Sequence, residues 1–266
     1  MTDDAANLRL AVGGVELNVQ RSGRGEASLF LNGTNSSIAT SGPLLHRLRS
    51  MGELVVHDHR GMGESSSPEG PWSMLDYARD ALGVMDELGI ERFNVLGISF
   101  GGMVAQELAL LVPERIRRLV LWSTSAGGGA GSSFPLDTLA TMGDEERDAM
   151  ALRLLDGRFD AAWLAEHPRD RRLAESRGPV PAASSTAAAA EQLEARSRHD
   201  TAERLHRLAD VAVFVGAGRY DVMAPPSNAQ ALALLAKAER FELYEGGHLF
   251  FFQDPRAFED LADFLR

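Results

Sequence analysis

The chain has 266 residues, 44% hydrophobic and 24% charged, with 27 Lys and Arg against 38 Asp and Glu and no cysteine. Such a composition is that of a globular protein and excludes wholesale disorder, collagen and coiled coil; the net charge of −11 argues against nucleic acid or an anionic membrane surface as partner. Without cysteine there are no disulfides, thiolate nucleophiles, iron–sulfur clusters or cysteine-based zinc sites.

Residues 1–7 are acidic and lack an apolar segment of the secretory kind, and no run of 18 apolar residues exists, so the expected location is cytoplasmic. Two β-like runs, Leu8 to Val12 and Val15 to Gln20, flank Gly13-Gly14, a hairpin signal. Ser28 to Leu31 is an apolar run that ends in Asn32-Gly33-Thr34. Pro43 to Met51 has helical spacing, Glu53 to His57 reads as a buried strand, and Arg60 to Ser65 is turn-rich. Ser73 to Leu88 predicts an amphipathic helix through Leu75, Ala78, Ala81, Leu82 and Met85. Strand Phe93 to Leu96, helix Phe100 to Leu111 and strand Ile116 to Trp122 follow. Strand–helix alternation of this kind implies a mostly parallel sheet with helices on its faces.

Alternation then stops. Ser125 to Ser133 is rich in Gly and Ser, and from Pro135 to Leu208 the patterns are helical, including Asp144 to Leu155 and the Ala-rich Ser184 to Ser197. Strand Val211 to Val215, helix Ser227 to Ala238, strand Arg240 to Tyr244 and helix Pro255 to Leu265 resume the alternation. The expected organisation is an α/β core of residues 1–126 and 209–266, with residues 127–208 inserted after the sixth strand as a helical lid.

Gly97-Ile98-Ser99-Phe100-Gly101 fits G-x-S-x-G between a predicted strand and a predicted helix. Such a turn strains the serine backbone, needs small neighbours, and aims a helix N-terminus at the hydroxyl, where an oxyanion can be stabilised. A serine needs a base, and the base an orienting acid, in the chain order Ser, Asp, His. Asp221 follows strand Val211 to Val215, and His248 follows strand Arg240 to Tyr244 through Gly246-Gly247, so all three belong at one sheet edge. His46, His167 and His206 lie in or beside predicted helices. His57-Asp58-His59 lacks a third ligand at metal spacing, so neither metal nor cofactor is expected.

These residues resemble the α/β-hydrolase fold superfamily over nearly the whole chain. Asn32-Gly33-Thr34 is similar to its oxyanion segment, with Asn where many members carry His. Asp58 to Ser65 is similar to its D-x-R-G-x-G-x-S turn, and Gly97 to Gly101 to its nucleophile elbow. Gly218 to Asp221 and Gly246 to His248 look like its acid and base segments. Within the superfamily the 3-oxoadipate enol-lactonase-like hydrolases and esterases look nearest. The resemblance implies an oxyanion hole of the Thr34 and Phe100 backbone N–H groups. Serine at position 99 argues against relatives with a carboxylate nucleophile.

The expected activity is hydrolysis of a small ester, lactone or thioester by a monomer or homodimer. The same triad also suits an acyltransferase, cyclase or perhydrolase, and the fold alone would suit a ligand sensor. Phe134, Leu136, Met150, Leu154, Trp163 and Phe250 are candidates to line the substrate pocket. His199-Asp200, near the return to the sheet, has two readings, contact with substrate or a surface or capping role, and the second is favoured.

Overall fold

The computed structural model describes residues 5–176 and 186–266. Strands β1 (Ala6–Val12) and β2 (Val15–Ser22) form an antiparallel hairpin, with Val12 opposite Val15. Gly13 and Gly14 have φ of 55° and 84°, the positive values that a two-residue turn between twisted strands requires. β2 pairs antiparallel with β4 (Glu53–His57), and β3 (Ala27–Leu31), β5 (Phe93–Ile98), β6 (Ile116–Trp122), β7 (Ala212–Gly218) and β8 (Arg240–Tyr244) continue in parallel. The eight-stranded order is β1-β2-β4-β3-β5-β6-β7-β8.

The parallel strands inside the sheet are buried on both faces, as near-continuous apolar runs require, and the edge strand β8 is half-buried. Leu29, Leu31 and Val55 pack on one side with α2 (Met74–Glu87), α3 (Phe100–Leu111) and α8 (Pro226–Leu235). Phe30, Leu54 and Val56 pack on the other with α1 (Gly42–Leu48) and α9 (Arg256–Leu265). α2 starts at a reciprocal capping box between Ser73 and Asp76. The predicted helix Pro43 to Met51 divides into α1 and a 3₁₀ turn, Arg49–Met51. β7 runs past Val215, because Gly216 pairs with Trp122 of β6 and Glu242 of β8, and Gly218 with Tyr244 of β8, despite the weak strand propensity of glycine.

Between β6 and β7 the described residues form helices α4 (Asp144–Leu155), α5 (Ala161–Glu166), α6 (Pro168–Ser176) and α7 (Ala187–Ser197), with 3₁₀ turns. Their one β-type contact among the described residues is an isolated bridge, Gly127 to Asp200. Ser184 and Ser185, expected to begin the Ala-rich helix, lie outside the described residues. This segment is docked onto the two loops that follow β7 and β8. Phe134 N–H donates to the Met223 carbonyl at 2.7 Å, Gly157 N–H to Tyr220 at 2.8 Å, and His248 N–H to Leu155 at 2.6 Å. No helix among the described residues is long and apolar enough to cross a membrane.

Candidate active site

Six parallel strands end at one edge of the sheet, and the polar residues of interest follow those ends. Ser99, between β5 and α3, has φ 56° and ψ −118°, a left-handed conformation that is costly for a residue with a Cβ. The surrounding glycines explain how it is tolerated. A Cβ on Gly97 would lie 2.7 Å from the Gly102 Cα, and one on Gly101 would overlap the Leu31 and Asn32 carbonyls. Ser99 N–H donates to the Trp122 carbonyl at 2.9 Å, which pins the turn to β6. Ser99 is 8% exposed, and its hydroxyl makes no hydrogen bond among the described residues.

His248 Nδ1 lies 2.8 Å from Asp221 Oδ2. A carboxylate oxygen accepts, so Nδ1 carries the proton and Nε2 is left to face away. The other carboxylate oxygen, Oδ1, accepts from Ala224 N–H at 2.8 Å, which fixes the Asp221 rotamer. Gly247 lets the backbone before His248 pass close to the end of α4: a Cβ there would collide with Leu155 and Asp156.

Ser123 and Thr124, directly after β6, join the two halves of this arrangement. The Ser123 hydroxyl donates to the His248 carbonyl at 2.8 Å, and the Thr124 hydroxyl donates to the Ser99 carbonyl at 2.8 Å. Both residues are fully buried, and Ser123 has φ 48°. Sequence reading passed over them. Their one signal was a polar pair at the end of an apolar strand.

Gly33 brings the loop after β3 against the turn: a Cβ on it would be 3.7 Å from Ser99 Cβ. Thr34 follows on this loop, and Phe100 is the first residue of α3, where an N–H has no intrahelical acceptor. Asp58 braces the same loop from the turn after β4. Its carboxylate accepts from Ile38 N–H at 2.6 Å, Glu64 N–H at 2.9 Å and Asn18 Nδ2 at 2.8 Å. Asn32 accepts from Ser41 Oγ at 2.6 Å through its side chain and sits 3.1 Å from His59 Nε2 through its carbonyl. Gln192 of α7 reaches the loop as well, accepting from Asn35 N–H at 2.7 Å.

His57 and His59 stack edge-on at 5.2 Å and are wholly buried. Burial pushes His59 down to about 4, against the opposing Asn32 carbonyl and Asp58 charge, and pushes His57 well below its ordinary range, with His59 adding to the effect. No group of three metal-binding side chains occurs among the described residues.

The predicted pocket residues go to different places. Phe134, Leu136, Met150 and Leu154 pack on one another with Leu139 and Met223. Trp163 stacks on His167 at 3.7 Å and donates to Asp170 at 2.8 Å. Phe250 is fully buried, stacked on Tyr244 at 4.7 Å and edge-on to Trp122 at 5.3 Å. His199 is a correction to the surface reading. It is 4% exposed, because the Gly127 to Asp200 bridge draws its backbone under the loop after β6.

A sequence model described as the alpha/beta hydrolase fold matches residues 52–255. A Caulobacter segnis protein provisionally named a carbamate hydrolase, RutD, is 30% identical over 90% of this chain and 91% of its own length. The 3-oxoadipate enol-lactonase 2 of Acinetobacter baylyi is 25% identical over 79% of this chain and 77% of its own. Among solved structures, the enol-lactonase from Burkholderia xenovorans LB400 superposes with a TM-score of 0.78 at 25% identity, covering 97% of this chain and 99% of that one.

Proposed function

The chain belongs to the alpha/beta hydrolase fold family, and from that premise we propose that it is a serine hydrolase of carboxylic esters or lactones. The reading is carried by one observation: a strained Ser99 and a His248–Asp221 pair share one sheet edge, their backbones held by the adjacent hydroxyls of Ser123 and Thr124.

In this reading Ser99 Oγ attacks the substrate carbonyl while His248 Nε2 takes its proton. Asp221 holds the imidazole in the tautomer that leaves Nε2 free to accept, and stabilises the imidazolium that forms. The oxyanion falls to the N–H groups of Thr34 and Phe100, a donor pair of which each member typically contributes about 3 kcal/mol to the barrier. The leaving alcohol takes the proton from His248. A water then gives its proton to the same nitrogen and attacks the acyl-enzyme, and His248 returns that proton to Ser99 Oγ as the bond to the acyl group breaks and the acid leaves. The names of the relatives, an enol-lactonase and a protein assigned to carbamates, are in keeping with attack on a carbonyl. Residues 127–208 are the segment that would cover the site and size its substrate. Their contacts with the Tyr220, Met223 and His248 backbones support that role.

The test is hydrolysis of p-nitrophenyl esters from acetate to decanoate, with wild type beside Ser99→Ala. Hydrolysis lost in the variant, with one preferred chain length in the wild type, is the expected result. Near-wild-type turnover by folded Ser99→Ala would overturn the assignment.

A further inference from the structure

A cavity of about 540 Å³ lies between α7 and the loop after β6. That volume is in the range of small-molecule sites. Its lining does not include Ser99, Asp221 or His248, although Met103 on its wall is one turn beyond Ser99 on α3.

Three polar side chains of the lining are poorly satisfied. His199 is 4% exposed, and neither ring nitrogen has a hydrogen-bond partner of proper geometry, although the Ser125 backbone faces the ring. The Ser125 hydroxyl is fully buried and also unpartnered. Arg196 donates to the Phe134 carbonyl at 2.9 Å and makes no ion pair among the described residues. The carboxylate that acts on it, Asp137, is exposed, and Glu194 on the rim is engaged by Arg198. Burial pulls the Arg196 guanidinium down to about 10, which marks a cation short of a counter-charge. Leaving a partly buried cation and buried polar atoms uncompensated is costly, so the arrangement favours an anion that supplies what the protein does not.

We propose that this cavity binds a small organic carboxylate, with its charged end on Arg196, His199 and Ser125 and its apolar body against Met103 and Leu193. A guanidinium presents a planar fork that matches a carboxylate. Burial holds His199 down at about 4, so at neutral pH its imidazole is uncharged and gives one N–H donor, and Ser125 gives another. One cation beside neutral donors suits a single negative charge better than a doubly charged phosphate.

The experiment is calorimetric titration of Ser99→Ala protein with hexanoate and with hexanamide at neutral pH. Using Ser99→Ala keeps the outcome independent of the catalytic reading of Ser99. Hexanoate is expected to bind about tenfold more tightly than hexanamide, and Arg196→Gln in the same background to abolish the preference. Arg196→Lys, which keeps the charge without the fork, guards against misfolding of the glutamine variant and is expected to weaken hexanoate about threefold. Binding of neither compound, equal binding of both, or a preference that survives Arg196→Gln would each overturn the proposal.

Discussion

The hydroxyl of Ser123 donates to the backbone carbonyl of His248 across 125 residues of chain, while its neighbour Thr124 holds the carbonyl of Ser99 in the same way. The dipeptide that follows β6 therefore ties the backbone of the proposed nucleophile to that of the proposed base. Ser123→Ala leaves a buried carbonyl unpaired and frees the His248 loop. We expect kcat to fall about tenfold or more with little change in KM, since small misplacements of a catalytic group are costly. Steady-state kinetics on one p-nitrophenyl ester would check it, and an unchanged kcat would remove Ser123 from a positioning role.

Asp221→Asn tests the tautomer argument. Ala224 N–H needs an oxygen acceptor, so the asparagine amide nitrogen would be turned toward His248 Nδ1. The imidazole proton then moves to Nε2, where it blocks acceptance from Ser99. A loss of about 10³- to 10⁴-fold in kcat is expected, with circular dichroism unchanged. A loss of only a few-fold would show that Asp221 is not the orienting acid.

Arg60 and Asp80 form a two-point ion pair, Nε to Oδ2 at 2.7 Å and Nη2 to Oδ1 at 2.8 Å, with side-chain exposures of 12% and 3%. Burial raises the Asp80 pKa against the opposing pull of Arg60. Arg60→Ala strands a buried carboxylate and is expected to lower stability by about 3–5 kcal/mol in urea unfolding. The double variant Arg60→Met with Asp80→Leu should recover most of that loss. A single variant as stable as wild type would contradict the reading of this pair as buried and coupled.

Stability should fall in mild acid. Burial holds His59 and His199 to about 4 in the folded chain, against 6.5 for an ordinary histidine. Between those values the unfolded chain binds protons that the folded chain does not, so unfolding is favoured as pH drops through that window. The loss is on the order of 3 kcal/mol for each group, and His57 acts in the same direction. Asp76 and Asp254 have lowered pKa values, so their contributions are retained through the window and lost only in stronger acid. Urea midpoints at pH 7.5 and 4.5 measure the effect, and equal midpoints would contradict it.

Much of this architecture is legible in local sequence. β6, β8, α3 and α4 fall on the predicted residues, because strand burial and helix starts leave marks within a few positions. The Ser99 turn, Asp221 and His248 are marked by glycines that the close backbone approaches at Gly97 and Gly101, Gly218, and Gly247 require. What escaped reading depends on contacts distant in sequence. Ser123 meets His248, Gln192 meets Asn35 157 residues away, and His199 is buried beside the bridge from Asp200 to Gly127. None of these leaves a periodic pattern. Phe134, Leu136, Met150 and Leu154 were apolar in the right segment, but apolar character does not distinguish a residue facing a substrate from one packed on its neighbours.

The central claim is that Ser99 is a nucleophile activated by His248, and covalent labelling tests it most directly. The protein would be treated with a fluorophosphonate and its digest read by mass spectrometry. The account predicts one adduct, on the peptide containing Ser99, formed rapidly in wild type and absent in Ser99→Ala and His248→Ala. An unlabelled folded protein, or an adduct on Ser99 that forms as fast without His248, would contradict it.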